Sequence, residues 1–155
     1  MKTTRISTAL FILFILSSCL TSGLEELPVY EEAEITNFKF EYRWAEKEGI
    51  SDVLRVKPLD TELSINSEKQ EVRCKITVPS ADAQRFTETV RNNVTISNIV
   101  GYASISTAAS IKPIGNAPLL GRPGDFGQQT MQYEVTAADQ KTKKIWNLVI
   151  DSFDK

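Results

Sequence analysis

Two cysteines, Cys19 and Cys74, are the side chains of this chain best suited to act as nucleophiles. The sequence contains no histidine, so neither a Ser-His-Asp triad nor a Cys-His pair can activate a nucleophile. Every zinc site that includes histidine is excluded for the same reason. The sequence also lacks a glycine-rich phosphate loop and the spacing of a calcium-binding EF-hand.

Paired carboxylates are the remaining route to catalysis, because two of them can hydrolyse a glycosidic bond. Five aspartates lie at predicted turns or strand ends, where Asp side chains hydrogen-bond to the backbone; they are Asp52, Asp60, Asp125, Asp139 and Asp151. We interpret Asp125, which precedes Phe126, and Asp139 as turn residues. The sequence therefore predicts a protein that is not an enzyme, with no catalytic residues, no cofactor and no metal.

Cys19 lies at the end of a segment typical of a secretory signal. Lys2 and Arg5 precede an apolar run over residues 9–16, which is shorter than the about 20 residues that span a bilayer. Leu16-Ser17-Ser18-Cys19 resembles a bacterial lipobox, in which the Cys receives a diacylglyceryl group before cleavage. We expect residues 1–18 to be a lipoprotein signal peptide and Cys19 to be lipidated, so that acyl chains hold the protein on a membrane. The alternative is an ordinary signal peptide that contains a cysteine.

Residues 19–34, which begin with the lipidated Cys19, are predicted to be an acidic tether. They include five glutamates, and their apolar residues show little regular spacing. Removal of residues 1–18 changes the formal net charge from −2 to −4. An acidic chain without a basic cluster argues against nucleic acid as a partner. Early acidic residues mark surface export in some Bacteroidetes lipoproteins, but Glu25 and Glu26 lie late. The sequence is therefore compatible with a lipoprotein on either the surface-exposed or the periplasmic face of the outer membrane.

Aromatic residues are the candidate ligand-binding side chains. Phe38, Phe40, Tyr42 and Trp44 alternate with polar residues, which is typical of a strand with one buried face. Trp44 ends this stripe, and Tyr102 lies on the polar side of a later strand. Because aromatic rings stack on sugars and tolerate a wet surface, we expect Trp44 and Tyr102 to bind a polysaccharide. The loop over 111–126 would contribute to this site, and the side-chain amides of Asn116, Gln128 and Gln129 would contact sugar hydroxyls. In the alternative, Trp44 closes the core and Tyr102 is a solitary surface residue.

The elements that must position these residues are predicted to be short strands. The clearest is a hairpin over 131–150, in which two alternating stretches flank the polar break Asp139–Thr142. Residues 71–78 form another strand, with Cys74 on the apolar side and therefore buried. Residues 45–52 are predicted to be a loop, 80–92 a short helix and 111–126 largely irregular. Residues 35–152 are thus predicted to be one all-β domain, an antiparallel β-sandwich of about seven strands with at most one short helix.

A family resemblance extends this interpretation. The segments Phe38-x-Phe40, Ile76-x-Val78-Pro79, Asp125-Phe126, Tyr133-x-Val135-x-Ala137-x-Asp139 and Trp146-x-Leu148-x-Ile150 together resemble the immunoglobulin-like β-sandwich of Bacteroidetes lipoproteins, a family of unknown function. The resemblance covers about residues 33–152, and Gln140 stands where that module usually has glycine in the turn. It implies a cell-envelope binding or spacer module and adds no catalytic residues.

Two functions follow from the sequence. In the first, the protein is a membrane-anchored cell-envelope lipoprotein, located in the outer membrane, whose Ig-like module binds a glycan or serves adhesion. In the second, it is a structural or assembly subunit, or a spacer domain of a larger envelope complex, with no ligand of its own. The expected partners are the membrane, through the lipid anchor, and a polysaccharide or another envelope protein. A cluster of exposed aromatic rings would favour the first function, and a long uncovered strand edge would favour the second.

Overall fold

A computed structural model describes residues 30–129 and 131–155. The predicted signal peptide, Cys19 and most of the predicted tether lie outside the described residues. The strands are β1 (Ile35–Glu48), β2 (Ser51–Asn66), β3 (Glu71–Thr77), β4 (Ile99–Ile105), β5 (Ser110–Ile114), β6 (Pro123–Gly124), β7 (Met131–Thr136) and β8 (Lys143–Asp154). Helix α1 spans Glu88–Asn92, and a single 3₁₀ turn spans Ile96–Asn98. The expected all-β class is confirmed.

The eight strands form one curled sheet in the order β5-β7-β8-β3-β2-β1-β4-β6. β2 links the two parts of this sheet, because Ser51–Leu59 pairs with β1 and Asp60–Asn66 pairs with β3. β3 and β8 run parallel, and the other neighbours are antiparallel. Where a sandwich of about seven antiparallel strands was expected, the structure has eight strands in one curled, mixed sheet. The sequence pattern missed this because a proline is typical of a strand end, whereas Pro58 lies within β2.

Pro58 is accommodated because β2 has a strand neighbour on only one side at that position, namely Glu41 of β1. A proline cannot donate a backbone hydrogen bond, so it is tolerated where one edge of the strand is open. Pro113 of β5 and Pro123 of β6 lie on the two terminal strands of the sheet. Short edge strands that contain proline resist pairing with other chains.

The core lies between the two parts of the curled sheet. Phe38 of β1 packs against Tyr133 of β7 with ring centroids 6.2 Å apart, and Phe40 meets Phe126 edge-on at 5.2 Å. Most residues of the predicted apolar faces are buried; they include Phe38, Phe40 and Tyr42 of β1, Val72, Cys74 and Ile76 of β3, Met131, Tyr133 and Val135 of β7, and Trp146 and Leu148 of β8. Alternation along each strand therefore predicted the inward side correctly.

Two predicted irregular segments are more ordered than expected. β1 and β2 continue to a two-residue turn, Gly49–Ile50, where a loop over 45–52 was expected. Gly49 has φ of +65°, as the first position of a type II′ hairpin turn requires. The chain end over 151–155, whose mainly polar residues predict a short tail, is also mostly strand, because β8 runs to Asp154 beside β3. In both places polar residues occupy both faces, which hides the alternation.

The predicted helix over 80–92 is confined to its last residues, Glu88–Asn92. Thr87 caps it, since its hydroxyl accepts a bond from the Val90 amide at 3.4 Å. Asp82 instead organises the preceding turn by accepting bonds from the amides of Arg85 and Phe86 at 2.8 and 3.0 Å. Within the described ranges, no helix is long and apolar enough to cross a membrane.

A candidate binding surface on the β1–β2 hairpin

The β1–β2 hairpin extends past the rest of the sheet. β4 pairs with β1 only from Ile35 to Glu41, and β3 pairs with β2 only from Asp60 to Asn66. Residues 42–58 therefore form a two-stranded ribbon, and neither of its edges pairs with another described strand. An isolated two-stranded ribbon is marginally stable in water. Contacts between side chains must therefore hold this ribbon in place.

Trp44 supplies the central contact on the inner face of the ribbon. Its ring stacks on Tyr42 with centroids 5.9 Å apart and an interplanar angle of 16°. It also packs on Phe86 at 5.9 Å, and the Lys57 ammonium lies 5.0 Å from the Phe86 centroid. Tyr42 and Phe86 are buried, whereas Trp44 keeps part of its ring exposed. Trp44 thus closes one end of the core and presents an aromatic surface to solvent.

Paired charges flank the Trp44 ring. Arg55 lies directly across from Trp44 in the strand register, donates to Glu46 at 2.6 Å and contacts Glu48. Lys57 pairs with Asp82 at 3.5 Å. We name the surface formed by Tyr42, Trp44, Glu46, Arg55 and Lys57 the Trp44 ledge. An exposed ring beside several hydrogen-bonding groups suits a ligand with apolar faces and many hydroxyls.

Asp82 supports the ledge through its charge. The amides of Arg85 and Phe86 donate to its carboxylate, and these bonds lower its pKa to about 2. Hydrogen bonds to the ionised form of a carboxyl stabilise that form. Asp82 therefore remains charged at neutral pH and available to Lys57.

Tyr102 lies on the opposite face of the sheet from Trp44. Tyr102 pairs in register with Lys39, whose side chain points away from the face that carries Phe40 and Trp44. The Tyr102 hydroxyl donates to Glu41 at 2.8 Å and also contacts Arg43. The structure therefore does not bring Trp44 and Tyr102 together in one site.

The surroundings of Tyr102 show a packed polar network. Glu41 accepts a bond from Arg43 Nε at 2.6 Å, and Arg43 also donates to the Gly121 carbonyl at 3.3 Å. Burial and the hydrogen bond to Glu41 raise the pKa of Tyr102. Tyr102 is neither a solitary surface residue nor a free ring. It ties the irregular segment before β6 to the outer face of β1.

The other residues expected to assist binding have mixed placements. Gln128 donates to the backbone carbonyls of Asn116 and Asp125 at 2.9 and 3.2 Å, so its amide holds the loop together. Asn116 and Gln129 are exposed. The segment they belong to is pinned to the core, because the Tyr133 hydroxyl donates to the Pro118 carbonyl at 2.9 Å.

Two of the aspartates considered for catalysis, Asp125 and Asp139, bind the backbone of their own turns. Asp125 accepts a bond from the Gly127 amide at 2.9 Å. Asp139 accepts bonds from the Lys141 and Thr142 amides at 2.9 and 2.8 Å, in a turn where Gln140 has φ of +58°. The interpretation of both as turn residues is confirmed. Among the residues that the structure describes, no group of Cys, Asp and Glu side chains could hold a metal ion.

A hollow of about 350 Å³ lies on the outer face of β2, β3 and β8 and is the other candidate site. Its charged side chains pair with one another: Arg73 binds Asp151 through two nitrogens, and Lys75 lies 3.7 Å from Glu62. Ion pairs across an exposed sheet face are ordinary surface features. The hollow also lacks an aromatic ring, so the Trp44 ledge is the stronger candidate site.

The partners of Trp44 could not be found from the sequence pattern. Phe86 belongs to no alternating stretch, and Arg55 and Lys57 read as the polar side of a short apolar patch. The useful signal is the continuation of the aromatic stripe in β1 to Trp44, beyond the length that a typical core covers. A strand that stays aromatic past the core indicates a surface that another element must support.

Comparisons with known proteins find one matching family model and two similar solved structures. The model of the family described as DUF5018-related matches residues 35–149. A "putative secreted protein" from Bacteroides fragilis NCTC 9343 has a crystal structure with a TM-score of 0.74 and 37% sequence identity, and the match covers 83% of this chain and 100% of that chain. A "putative glycoside hydrolase" from Bacteroides thetaiotaomicron VPI-5482 has a TM-score of 0.45 and 21% identity over 83% of this chain and 27% of that chain, a similarity too low to support any inference. Among curated proteins, none matches the chain.

Proposed function

Since this chain belongs to the DUF5018-related family, we propose that it is a non-catalytic binding module of the cell envelope, held on the outer membrane by a lipid on Cys19. The signal-like residues 1–18 and the lipobox-like Leu16–Cys19 support export and anchoring. The similar Bacteroides fragilis protein, whose description includes the word secreted, supports a location outside the cytoplasm. The absence of histidine supports the non-catalytic role.

The proposal includes the immunoglobulin-like character of the fold. The β1–β4 part and the β7–β8 part of the sheet face each other across the contact between Phe38 and Tyr133. β2 passes from one part to the other, as strands do at the corners of sandwiches whose sheets share a strand. We regard the curled sheet as a variant of that sandwich on these grounds.

The ligand we propose is a polysaccharide bound at the Trp44 ledge. The observation that carries the proposal is the partly exposed Trp44 ring, which is supported from behind by Tyr42 and Phe86. Stacking on a fixed aromatic ring orders few protein groups, so little conformational entropy is lost on binding. The neighbouring Arg55 and Lys57 can donate to sugar hydroxyls. Tyr102 has no part in this site, because it lies on the other face of the sheet.

Charge pairing on the ledge favours an uncharged polysaccharide. Arg55 is already balanced by Glu46 and Glu48, and Lys57 by Asp82. An anionic glycan would have to displace these carboxylates, whereas a neutral glycan can hydrogen-bond to the pairs as they stand. Binding of a neutral ligand should change little with ionic strength, because no net charge is neutralised.

Calorimetry on the full chain, purified with its lipid in detergent, tests the proposal after a screen of host and dietary polysaccharides. We expect a neutral polysaccharide to bind the wild type and Trp44→Ala to lose that binding. Tyr102→Phe is the matched control, since it removes a hydroxyl on the opposite face, and it should keep the wild-type affinity. Trp44→Phe, which keeps a ring on Tyr42, should bind with reduced affinity.

Thermal unfolding of each variant separates a lost site from a lost fold. The assignment fails if no glycan binds the wild type, or if a folded Trp44→Ala variant binds as tightly as the wild type. The alternative role, as an assembly subunit, draws support from the open edges of the ribbon, and it would then become the leading proposal.

A further inference from the structure

The open edge of β2 is the surface of this domain most suited to another chain. Ser51–Leu59 pairs with β1 on one side only, and no described strand lies on its other side. Unpaired backbone N–H and C=O groups along such an edge can pair with a further strand. Pro58 and Lys57 lie at the inner end of this edge, where a proline and a charge hinder pairing. The part available for pairing is therefore residues 50–56.

Apolar side chains are concentrated beside this edge. Ile50 is 107% exposed, Leu54 63% and Val56 46%, so half of the six large exposed apolar residues of the described chain lie here. Leu54 and Val56 share the outer face of β2. When a second strand pairs with this edge, part of the apolar surface of these residues is removed from contact with water.

We infer that β2 pairs with β2 of a second copy of this chain, antiparallel and centred on Val53. A two-fold axis perpendicular to the ribbon relates two such strands, and opposed residues then come from the same face. About Val53, this symmetry places Ile50 opposite Val56 of the other copy and Ser51 opposite Arg55. Lys57 falls opposite Gly49, so Pro58 lies outside the pairing.

Charge supports this register over one centred on Arg55, two residues further along β2. About Val53 no like charges lie directly opposite each other, an arrangement that would be destabilising in a sheet. A register centred on Arg55 would place the two Arg55 side chains opposite one another. Arg55 is moreover balanced by Glu46 and Glu48 of its own chain. Two copies of the edge can therefore approach without repulsion.

The size of the contact predicts a weak dimer. Seven residues of strand edge bury less surface than the about 1,200 Å² at which stable interfaces begin. Confinement to a membrane raises the effective concentration of the two copies and favours such a contact. The two-fold axis leaves both inner faces on one side, so two Trp44 ledges would face the same way. That consequence and the confinement to a membrane rest on the proposed function, whereas the strand pairing itself does not.

Disulfide trapping tests the pairing in the full chain with its lipid in vesicles. Val53 opposes its own copy across the axis, and opposed Cα atoms in antiparallel pairs lie about 4.5–5.5 Å apart, within disulfide reach. We expect Val53→Cys to form a covalent dimer under mild oxidation. Ser64→Cys, exposed on the part of β2 that pairs with β3, is the matched control and should stay monomeric. The wild type should also stay monomeric, because Cys74 is buried and the sulfur of Cys19 carries the lipid.

The yield of covalent dimer at different positions of β2 tests the register of the pairing. Leu54→Cys should form much less covalent dimer than Val53→Cys, because Leu54 opposes Asp52 in this register. If Val53→Cys cross-links no faster than Ser64→Cys, the proposed dimer is wrong. If Leu54→Cys cross-links faster than Val53→Cys, the proposed register is wrong. The readout requires no glycan, so its failure is distinguishable from failure of the proposed ligand.

Discussion

Cys74 shows how burial at a single residue removes reactivity. Its side chain is fully buried on β3 between Val72 and Ile76, and desolvation raises the pKa of the thiol to about 12. The thiolate is the nucleophilic form of cysteine, so almost none is present at neutral pH. The prediction that Cys74 is a buried residue on the apolar side of its strand is confirmed, and we expect a buried thiol to react slowly.

We expect Cys74 to resist a polar thiol reagent at pH 8 in the native protein. Ser64→Cys, which places a thiol on the exposed face of β2, should react rapidly and serves as the positive control. Cys74→Ala should lower the free energy of unfolding by about 1–2 kcal/mol through a small cavity, at the low end of core truncations. Rapid labelling of the wild-type thiol before unfolding would contradict this.

Asp82 should make stability depend on pH in the acid range. Its pKa is lowered to about 2 from an ordinary value of 3.8, so the folded state binds the proton less readily than the unfolded state. The stabilisation is therefore complete above about pH 4–5 and is lost as the pH falls from about 4 towards 2. Asp82→Asn removes the charge but keeps the shape of the side chain.

Denaturant unfolding of wild type and Asp82→Asn at several pH values provides the measurement. The wild type should be the more stable protein at pH 7, and the difference between the two should shrink towards pH 2. An equal difference at pH 2 and pH 7 would mean that the charge of Asp82 contributes nothing.

At the scale of elements, the β7–β8 hairpin holds the two parts of the sheet and the incoming chain together. Trp146 of β8 is fully buried, and its indole nitrogen donates to the Ala33 carbonyl at 3.0 Å. Glu34 forms an ion pair with Lys144, and its amide donates to Ser106 at 2.9 Å. Residues 33–34, which the sequence pattern places in the tether, are thus bound to β8 and to the end of β4.

Trp146→Ala should therefore be far more destabilising than Tyr102→Ala. Loss of a buried tryptophan costs about 3–5 kcal/mol, out of a total of about 5–15 kcal/mol for a domain. Tyr102 is only partly buried, and its loss removes a surface hydrogen-bond network. Thermal or denaturant unfolding midpoints of the two variants measure the contrast. Equal shifts would show that burial on β8 does not dominate the stability of the fold.

At the scale of the whole molecule, the hairpin and the N-terminal attachment lie at opposite ends of β1. The chain enters at Ile35, and the ribbon ends at Gly49–Ile50. The 14 residues of β1 span about 45 Å at the usual rise of a strand. A lipid anchor that precedes β1 would attach at the end of this strand opposite the Trp44 ledge and the open edge of β2. Both proposed contacts are therefore geometrically available on an anchored protein.

Intact mass analysis of the native protein tests the anchor itself. We expect a mature chain that begins at Cys19 and carries acyl chains on that residue. Cys19→Ser should yield a protein that lacks the acyl mass and no longer partitions with the membrane. An unmodified chain that begins at Met1, or one cleaved at another site, would contradict the prediction.

Local pattern in the sequence was enough for the all-β class, the buried face of each clear strand, the burial of Cys74 and Trp146, and the turn roles of Asp125 and Asp139. Alternation along a strand reports which side faces the interior, and this depends only on neighbouring residues. The tertiary structure alone decided the rest: the path of β2 through both parts of the sheet, the parallel pairing of β3 with β8, the length of the β1–β2 ribbon, the position of Phe86 behind Trp44, and the separation of Trp44 from Tyr102 on opposite faces. These features depend on which strands pair and in which register, and the residues involved are far apart in the chain. The alternation of apolar and polar residues along a strand is the same whichever strand lies beside it.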